Sequence, residues 1–151
     1  MNMAQAVLAA ALAAMLGSAS LLAATQGEKN EVTDLDSILR NNPLSPGGPT
    51  ASLVASIRAG SSELGILVMR RNELHHHDRQ DHVLYLARGT GIAQLENDAG
   101  EIETRPINPG DILKLPRGQK HGFRKTSSED LVFLVVAGPG PDATDDTVVD
   151  K

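Results

Sequence analysis

Between residues 51 and 136 the chain is a succession of short apolar segments separated by turn residues. The segments are too short for typical helices, and Gly, Asn or Pro interrupts the chain between them, as expected for β-strands. Asn97-Asp98-Ala99-Gly100 and Asn108-Pro109-Gly110 are two such turn signals. The predicted strands are 52–58, 64–69, 83–86, 92–95, 112–115 and 131–136. This alternation predicts an all-β domain, either an antiparallel sandwich or a barrel.

Length and composition limit the class of protein further. With 151 residues the chain can form one domain with a substantial hydrophobic core. It has two Phe, one Tyr and no Trp, so stacking platforms for bases or sugars are not evident. Its formal net charge of −5 argues against a nucleic-acid partner. Because the chain contains no cysteine, disulfides, thiolate metal ligands and a cysteine nucleophile are excluded.

The first 24 residues resemble a bacterial secretory signal. Residues 1–24 carry no charged side chain, and their apolar run from Ala6 to Leu16 is followed by small residues. This pattern predicts a periplasmic or secreted protein, with no stable membrane insertion once the signal is cleaved. An uncleaved anchor and an extension without a targeting role are the alternatives.

The remaining chain divides into three parts. Residues 25–50 are predicted to form a polar arm in which 33–40 make a short helix, with Thr33 as the N-cap. The predicted barrel spans 51–138. Residues 139–151 are acidic, begin with Pro and Gly, and are expected to form a flexible tail.

All histidines lie between residues 75 and 121, and their spacing fits a metal pocket. Neutral imidazole is the commonest protein ligand for borderline transition metals. Side chains two residues apart on a strand share a face, so His75 and His77 point together and His76 points away. His121 follows the Pro116-Arg117-Gly118 turn and must come from a later strand.

His82 belongs to the same pocket if the following strand turns its apolar side chains inward. His82, Leu84 and Leu86 share one face of that strand, so burial of the leucines would place the histidine inside as well. Asp81 is an alternative ligand, but it lies on the opposite face unless a β-bulge intervenes.

Two sequence blocks resemble the two motifs of the cupin superfamily. In the first block a His-x-His pair is followed after four residues by position 82, and after six more residues by a glycine. In the second block a glycine is followed after five residues by Pro-x-Gly, and after two more residues by a histidine. The matching positions are His75, His77, His82, Gly89, Gly110, Pro116, Gly118 and His121. The chain departs from the family at Met69, where the family has glycine, at His82, where it has glutamate, and at Lys125, where it has asparagine.

The resemblance implies a small jelly-roll barrel that binds one divalent transition metal through His75, His77, His82 and His121. Iron, nickel, manganese, copper and zinc are all compatible with these ligands. The resemblance further implies a small-molecule ligand or substrate and a possible homodimer. An aliphatic wall is expected around the site, built from Ile66, Met69, Leu84, Leu86, Leu113 and Phe133.

Three functions are compatible with this reading. The first is an exported metalloenzyme of the dioxygenase, isomerase or cyclase type, in which the metal acts as a Lewis acid on a small organic substrate. The second is a non-catalytic module that binds or senses a small ligand through the metal. The third is a structural barrel with a vestigial site, against which the intact ligand set argues. The sequence assigns no catalytic side chain.

Overall fold

The computed structural model describes residues 29–138 and 145–149. The signal-like segment 1–24, residues 25–28 of the arm and the ends of the predicted tail, 139–144 and 150–151, lie outside the described residues. The predictions made for them therefore stay predictions. The compact unit that contains the strands begins at Thr33. In the part of the chain that is described, no helix is both long and apolar enough to cross a membrane.

The described residues form one short helix and a set of antiparallel strands. The elements are α1 (Leu35–Asn41), β1 (Ala51–Ala59), β2 (Ser62–Met69), β3 (His75–His77), β4 (Asp81–Arg88), β5 (Gly91–Glu96), β6 (Ile102–Ile107), β7 (Ile112–Leu115), β8 (His121–Lys125), β9 (Leu131–Gly138) and β10 (Asp146–Val148). They make two five-stranded sheets, ordered β1-β2-β9-β4-β7 and β10-β3-β8-β5-β6. The predicted all-β jelly-roll class is confirmed.

The main core lies between the two sheets. Alternation along β4 shows how it forms, because Leu84 and Leu86 are buried whereas Val83 and Tyr85 are exposed. Phe133 of β9 and Leu86 are completely buried and belong to the same cluster. Each such side chain stabilises the fold by roughly 1.5–3 kcal/mol relative to an exposed one. Since this packing fixes the face that β4 turns inward, it also fixes the direction of His82.

A second, smaller core lies on the outer face of the first sheet. Ile66, Val68 and Val132 are buried there against apolar side chains of the arm, including those of α1. The predicted helix is present, but its start was misplaced by one residue. The N-cap is Asp34, not Thr33, because the Asp34 carboxylate accepts hydrogen bonds from the backbone N–H groups of Asp36 and Ser37.

Two strands were not predicted from the sequence. The strand β6 has no continuous apolar run because it is the edge strand of its sheet, with exposed charged residues and Pro106. The strand β10 lies inside the segment expected to be a flexible tail, and that expectation is wrong for 146–148. Its residues are exposed, so its position depends on backbone pairing with β3 and on polar contacts, which hydrophobic periodicity does not reveal.

Candidate metal centre

Three of the predicted ligands meet on neighbouring strands of one sheet. His75 and His77 belong to β3, and His121 begins β8 directly opposite His75. Their exposed fractions are 7%, 6% and 2%, respectively. The ring centroids lie 4.4 Å apart for His75 and His121, 5.0 Å for His75 and His77, and 5.2 Å for His77 and His121. Strand alternation and cross-strand pairing together therefore collect three imidazoles at one point.

The nitrogen geometry of these three histidines fits a metal ion. One ring nitrogen of each lies within 4.8 Å of those of the other two. Three nitrogens about 2.1 Å from one ion lie roughly 3.0–3.6 Å from one another, so binding would draw the three rings closer together. The Nδ1 atoms of His75 and His121 each lie 3.0 Å from a backbone carbonyl oxygen, that of Glu73 and Gln119, respectively. Because a carbonyl only accepts, these contacts favour a proton on Nδ1 and leave the electron pair on Nε2 for a metal. At His75 the Nδ2 donor of Asn72 also lies near Nδ1, at the longer distance of 3.3 Å.

The surroundings of His75, His82 and His121 keep these imidazoles neutral at pH 7, as metal ligation requires. Burial is the largest cause that lowers the pKa of His121 to about 3, and the nearby His75 lowers it further. Burial also lowers the pKa of His75. The pKa of His82 falls to about 4, again chiefly through burial, with a further contribution from His77. At neutral pH these groups therefore offer electron pairs, not positive charge.

His82 reaches the site from the opposite sheet. It lies near the start of β4, and its ring centroid is 4.0 Å from that of His77. Its Nε2 atom lies 3.4 Å from Oε1 of the buried Gln80, and among the described residues it falls outside the three-nitrogen group. The structure thus assembles three of the four predicted ligands, and ligation by His82 stays a prediction.

The two residues that alternation places outside the pocket do lie elsewhere. The Nδ1 atom of His76 lies 3.1 Å from a carboxylate oxygen of Asp78. Asp81 is exposed and pairs with Arg117 at 2.6 Å, and the hydrogen bonds from Arg117 lower its pKa to about 2. The register of β4 is continuous from Asp81 to Leu86, so no bulge turns Asp81 inward.

The histidines line a cavity of about 230 Å³. Its other lining residues are mostly apolar, as expected, and include Leu67, Met69, Leu84, Phe123 and Val135; Ser52, Asn72 and Asp146 supply polar atoms. Of the six predicted wall residues, Met69 and Leu84 line the cavity. Leu86, Leu113 and Phe133 belong to the core cluster beside it, and Ile66 belongs to the core on the outer face of the sheet. Successive side chains of a strand point to opposite faces of the sheet. Because Leu67 and Met69 of β2 face the cavity, Ile66 between them and Gly65 faces the outer side.

Sequence reasoning missed two polar residues next to the histidines. Gln80 is 3% exposed and faces His82, although nothing in the sequence singles it out. Asp146 places Oδ1 3.0 Å from Nδ1 of His77, although it was assigned to the acidic tail. The pairing of β10 with β3 brings the carboxylate there, and no local pattern marks it.

Comparisons with known proteins agree with this site. The chain is 30% identical over 112 residues to the acireductone dioxygenase of Bacillus licheniformis, an alignment that covers 74% of this chain and 61% of the relative. It is 27% identical over 112 residues to the acireductone dioxygenase of Bacillus subtilis, with the same coverage of 74% and 61%. The chain thus spans about three fifths of the length of these curated relatives.

Solved structures and a family model identify the fold. A conserved protein with a double-stranded β-helix domain from Klebsiella pneumoniae superposes with a TM-score of 0.58 at 15% identity, over 82% of this chain and 100% of that one. A cupin-2 domain from Rhodospirillum rubrum superposes with a TM-score of 0.51 at 19% identity, over 64% of each chain. Residues 69–137 match the family model of the cupin domain. The barrel, the histidine spacing and the family match agree that residues 69–137 form a cupin domain.

Proposed function

We propose that this cupin is a metal-dependent dioxygenase that acts on a small enediol of the acireductone type. The observation that carries the proposal is the group of three buried histidines on the wall of a small cavity. The similarity to acireductone dioxygenases adds the reaction class. An acireductone is an enediol conjugated to a carbonyl group, so it offers neighbouring oxygen atoms to a metal ion.

The charge of the site favours such a substrate. Imidazole ligands are neutral, so a divalent ion held by them keeps most of its +2 charge and attracts an ionised enediol. A bound metal would supply Lewis-acid and redox chemistry at this point. Iron, nickel or manganese would leave coordination positions open, whereas four histidines would close a tetrahedral zinc site. His75, His77 and His121 would hold the ion, and His82 would complete the set after turning away from Gln80.

The cavity limits the size of the substrate. Its volume of about 230 Å³ is below the range of about 300–1,000 Å³ typical of drug-sized ligands. The apolar wall, which includes Leu67, Leu84 and Val135, excludes water and favours an aliphatic substituent. The hydroxyl of Ser52 is a neutral polar group of the lining that can orient the substrate. The amide of Asn72 is engaged, because its Oδ1 accepts from the backbone N–H of Phe123 and its Nδ2 lies 3.3 Å from Nδ1 of His75.

Oxygen uptake with a synthetic acireductone tests the proposal. The full chain is loaded with Fe(II) or Ni(II), and consumption of O₂ and of substrate is followed together. We expect a ratio of about one O₂ per substrate, with both atoms of ¹⁸O₂ recovered in the products. His121→Ala should be inactive, and His76→Ala, a neighbour outside the pocket, should remain active. Substrate binding without O₂ uptake in the loaded wild type would overturn the enzyme proposal and favour the ligand-binding module.

We also propose that residues 1–24 direct export. The support is their composition: an uncharged apolar run followed by small residues. After expression of the full chain in a bacterium, we expect a mature protein in the periplasm or medium whose mass lacks this segment. Recovery of the unprocessed chain from the cytoplasm would contradict export. A homodimer stays a prediction from the family resemblance.

A further inference from the structure

We propose that Asp146, carried by the strand β10, is a positioning residue of the metal centre that fixes the orientation of the His77 imidazole. The inference depends on the metal-binding part of the proposed function but not on its substrate. It assigns a role to a segment that follows the barrel strands and that sequence patterning presents only as an acidic tail.

The three histidines are oriented in two different ways. His75 and His121 each place Nδ1 3.0 Å from the carbonyl oxygen two residues earlier in their own strand region. The buried Nδ1 of His77 has no aligned hydrogen bond among the described residues. The acceptor within reach is Oδ1 of Asp146, at 3.0 Å. His77 is therefore the member of the group whose orientation depends on a side chain from another segment.

The strand β10 is placed on this histidine by specific contacts. Its register with β3 sets Asp146 opposite His77, and Thr147 opposite His76. Four hydrogen bonds hold the segment there. They are the hydrogen bonds from the backbone N–H and Nε of Arg79 to Asp145, both 3.0 Å, from Oγ1 of Thr147 to Asp78, 3.1 Å, and from the backbone N–H of Val149 to the carbonyl of Leu74, 3.0 Å.

The carboxylate suits the orienting role chemically. The contact with His77 is the largest cause that lowers the pKa of Asp146, so the group is an ionised acceptor at neutral pH. A carboxylate this close favours the proton on Nδ1, which leaves the electron pair of His77 on Nε2. Once the ring aligns the hydrogen bond, the carboxylate makes the imidazole a stronger donor to a metal. Asp146 also lines the cavity, where its charge offsets part of the charge of a bound cation. The Asp146 side chain is 52% exposed, so its effect on His77 depends on the distance and direction of their contact more than on burial.

Metal affinity of matched variants tests the proposal. Binding of Co(II) to the full-length wild type, Asp146→Ala, Asp146→Asn and Thr147→Ala is measured by competition with a chelator. We expect Asp146→Ala to weaken binding by about 10–100-fold, the usual effect of removing the partner of a ligating histidine. Asp146→Asn keeps an acceptor oxygen and should lose less. Thr147→Ala removes one of the hydrogen bonds that hold the strand but keeps the Asp146 carboxylate, so it should lose much less affinity than Asp146→Ala.

A second measurement reads the orientation of His77 without any metal. Imidazole ¹⁵N shifts of the metal-free protein should show the Nδ1–H form at His77 in the wild type and a mixture of tautomers in Asp146→Ala. His75 and His121 should be unchanged, because backbone carbonyls orient them. The visible spectrum of the Co(II) protein should change in Asp146→Ala and not in Thr147→Ala.

Several outcomes would overturn the inference. These are wild-type affinity in Asp146→Ala, an equal loss in Thr147→Ala, or identical His77 shifts in the wild type and Asp146→Ala. Failure of the dioxygenase proposal looks different. In that case O₂ uptake is absent while the effects of Asp146→Ala on metal affinity and on the His77 ring persist.

Discussion

Replacing His77 with alanine should remove stoichiometric metal binding, whereas replacing the adjacent His76 should leave it intact. His77 is buried and contributes one nitrogen to the three-nitrogen group, whereas His76 faces the other side of β3 and contacts Asp78. Losing one of three converging ligands should weaken affinity by more than about 100-fold, beyond the 10–100-fold typical of an outer partner. The measurement is metal content after purification, by inductively coupled plasma mass spectrometry, together with affinity by chelator competition.

The two neighbours form a matched pair, because both are histidines of the same short strand. Unchanged metal content in His77→Ala would contradict the assigned site. A loss in His76→Ala equal to that in His77→Ala would mean that the register of β3 is shifted by one residue. His82→Ala should have a smaller effect than His77→Ala, since His82 must first give up its contact with Gln80 to bind the ion.

The metal-free domain should lose stability as the pH falls from 7 to 5.5. Burial lowers the pKa values of His75, of His82 to about 4 and of His121 to about 3, whereas in the unfolded chain they titrate near 6.5. At pH values between the folded and the unfolded pKa of these imidazoles, the unfolded chain binds more protons than the folded one, so acid favours unfolding. By pH 5.5 His121 contributes about 1 kcal/mol and His82 contributes less, because solvent partly screens it, and burial of His75 acts in the same direction. The expected loss is about 2 kcal/mol.

The surroundings of these imidazoles support the direction of this effect. Protonated neighbouring histidines repel one another. At His82 the repulsion from His77 exceeds the attraction of the Asp146 carboxylate, whereas at His75 Asp146 outweighs His77 and burial sets the direction of the pKa shift. Urea unfolding in chelator at several pH values measures the loss, and His121→Asn, which cannot titrate, should reduce it by about 1 kcal/mol. Stability that does not change between pH 7 and 5.5, or a loss that His121→Asn leaves unchanged, would contradict the prediction.

Much of the fold and part of the site follow from local sequence. Apolar runs between turn residues predict most strands of the two sheets, because burial between sheets requires apolar side chains at alternate positions. The same alternation predicts that His75 and His77 share a face, that His76 does not, and that Asp81 points outward. The helix of the arm was also predictable, although Asp34, not Thr33, caps it.

Elements held by backbone pairing and polar contacts were harder to predict. The strand β6 is an exposed edge strand, and β10 is a polar segment, so neither requires the apolar periodicity that identifies a strand in a sequence. Gln80 shows the same limit, since a glutamine in a charged loop gives no sign that it will be buried beside His82.

The β-class of the domain, the identity of the candidate ligands and the face on which each lies follow from the amino-acid sequence alone. These properties depend on neighbouring bonds and on the two-residue repeat of a strand. Three other features depend on the tertiary fold: His121 lies opposite His75, His82 approaches from the other sheet, and Asp146 reaches His77. These contacts join residues far apart in the chain, and the register and packing of whole strands, not any local pattern, set the distances between them.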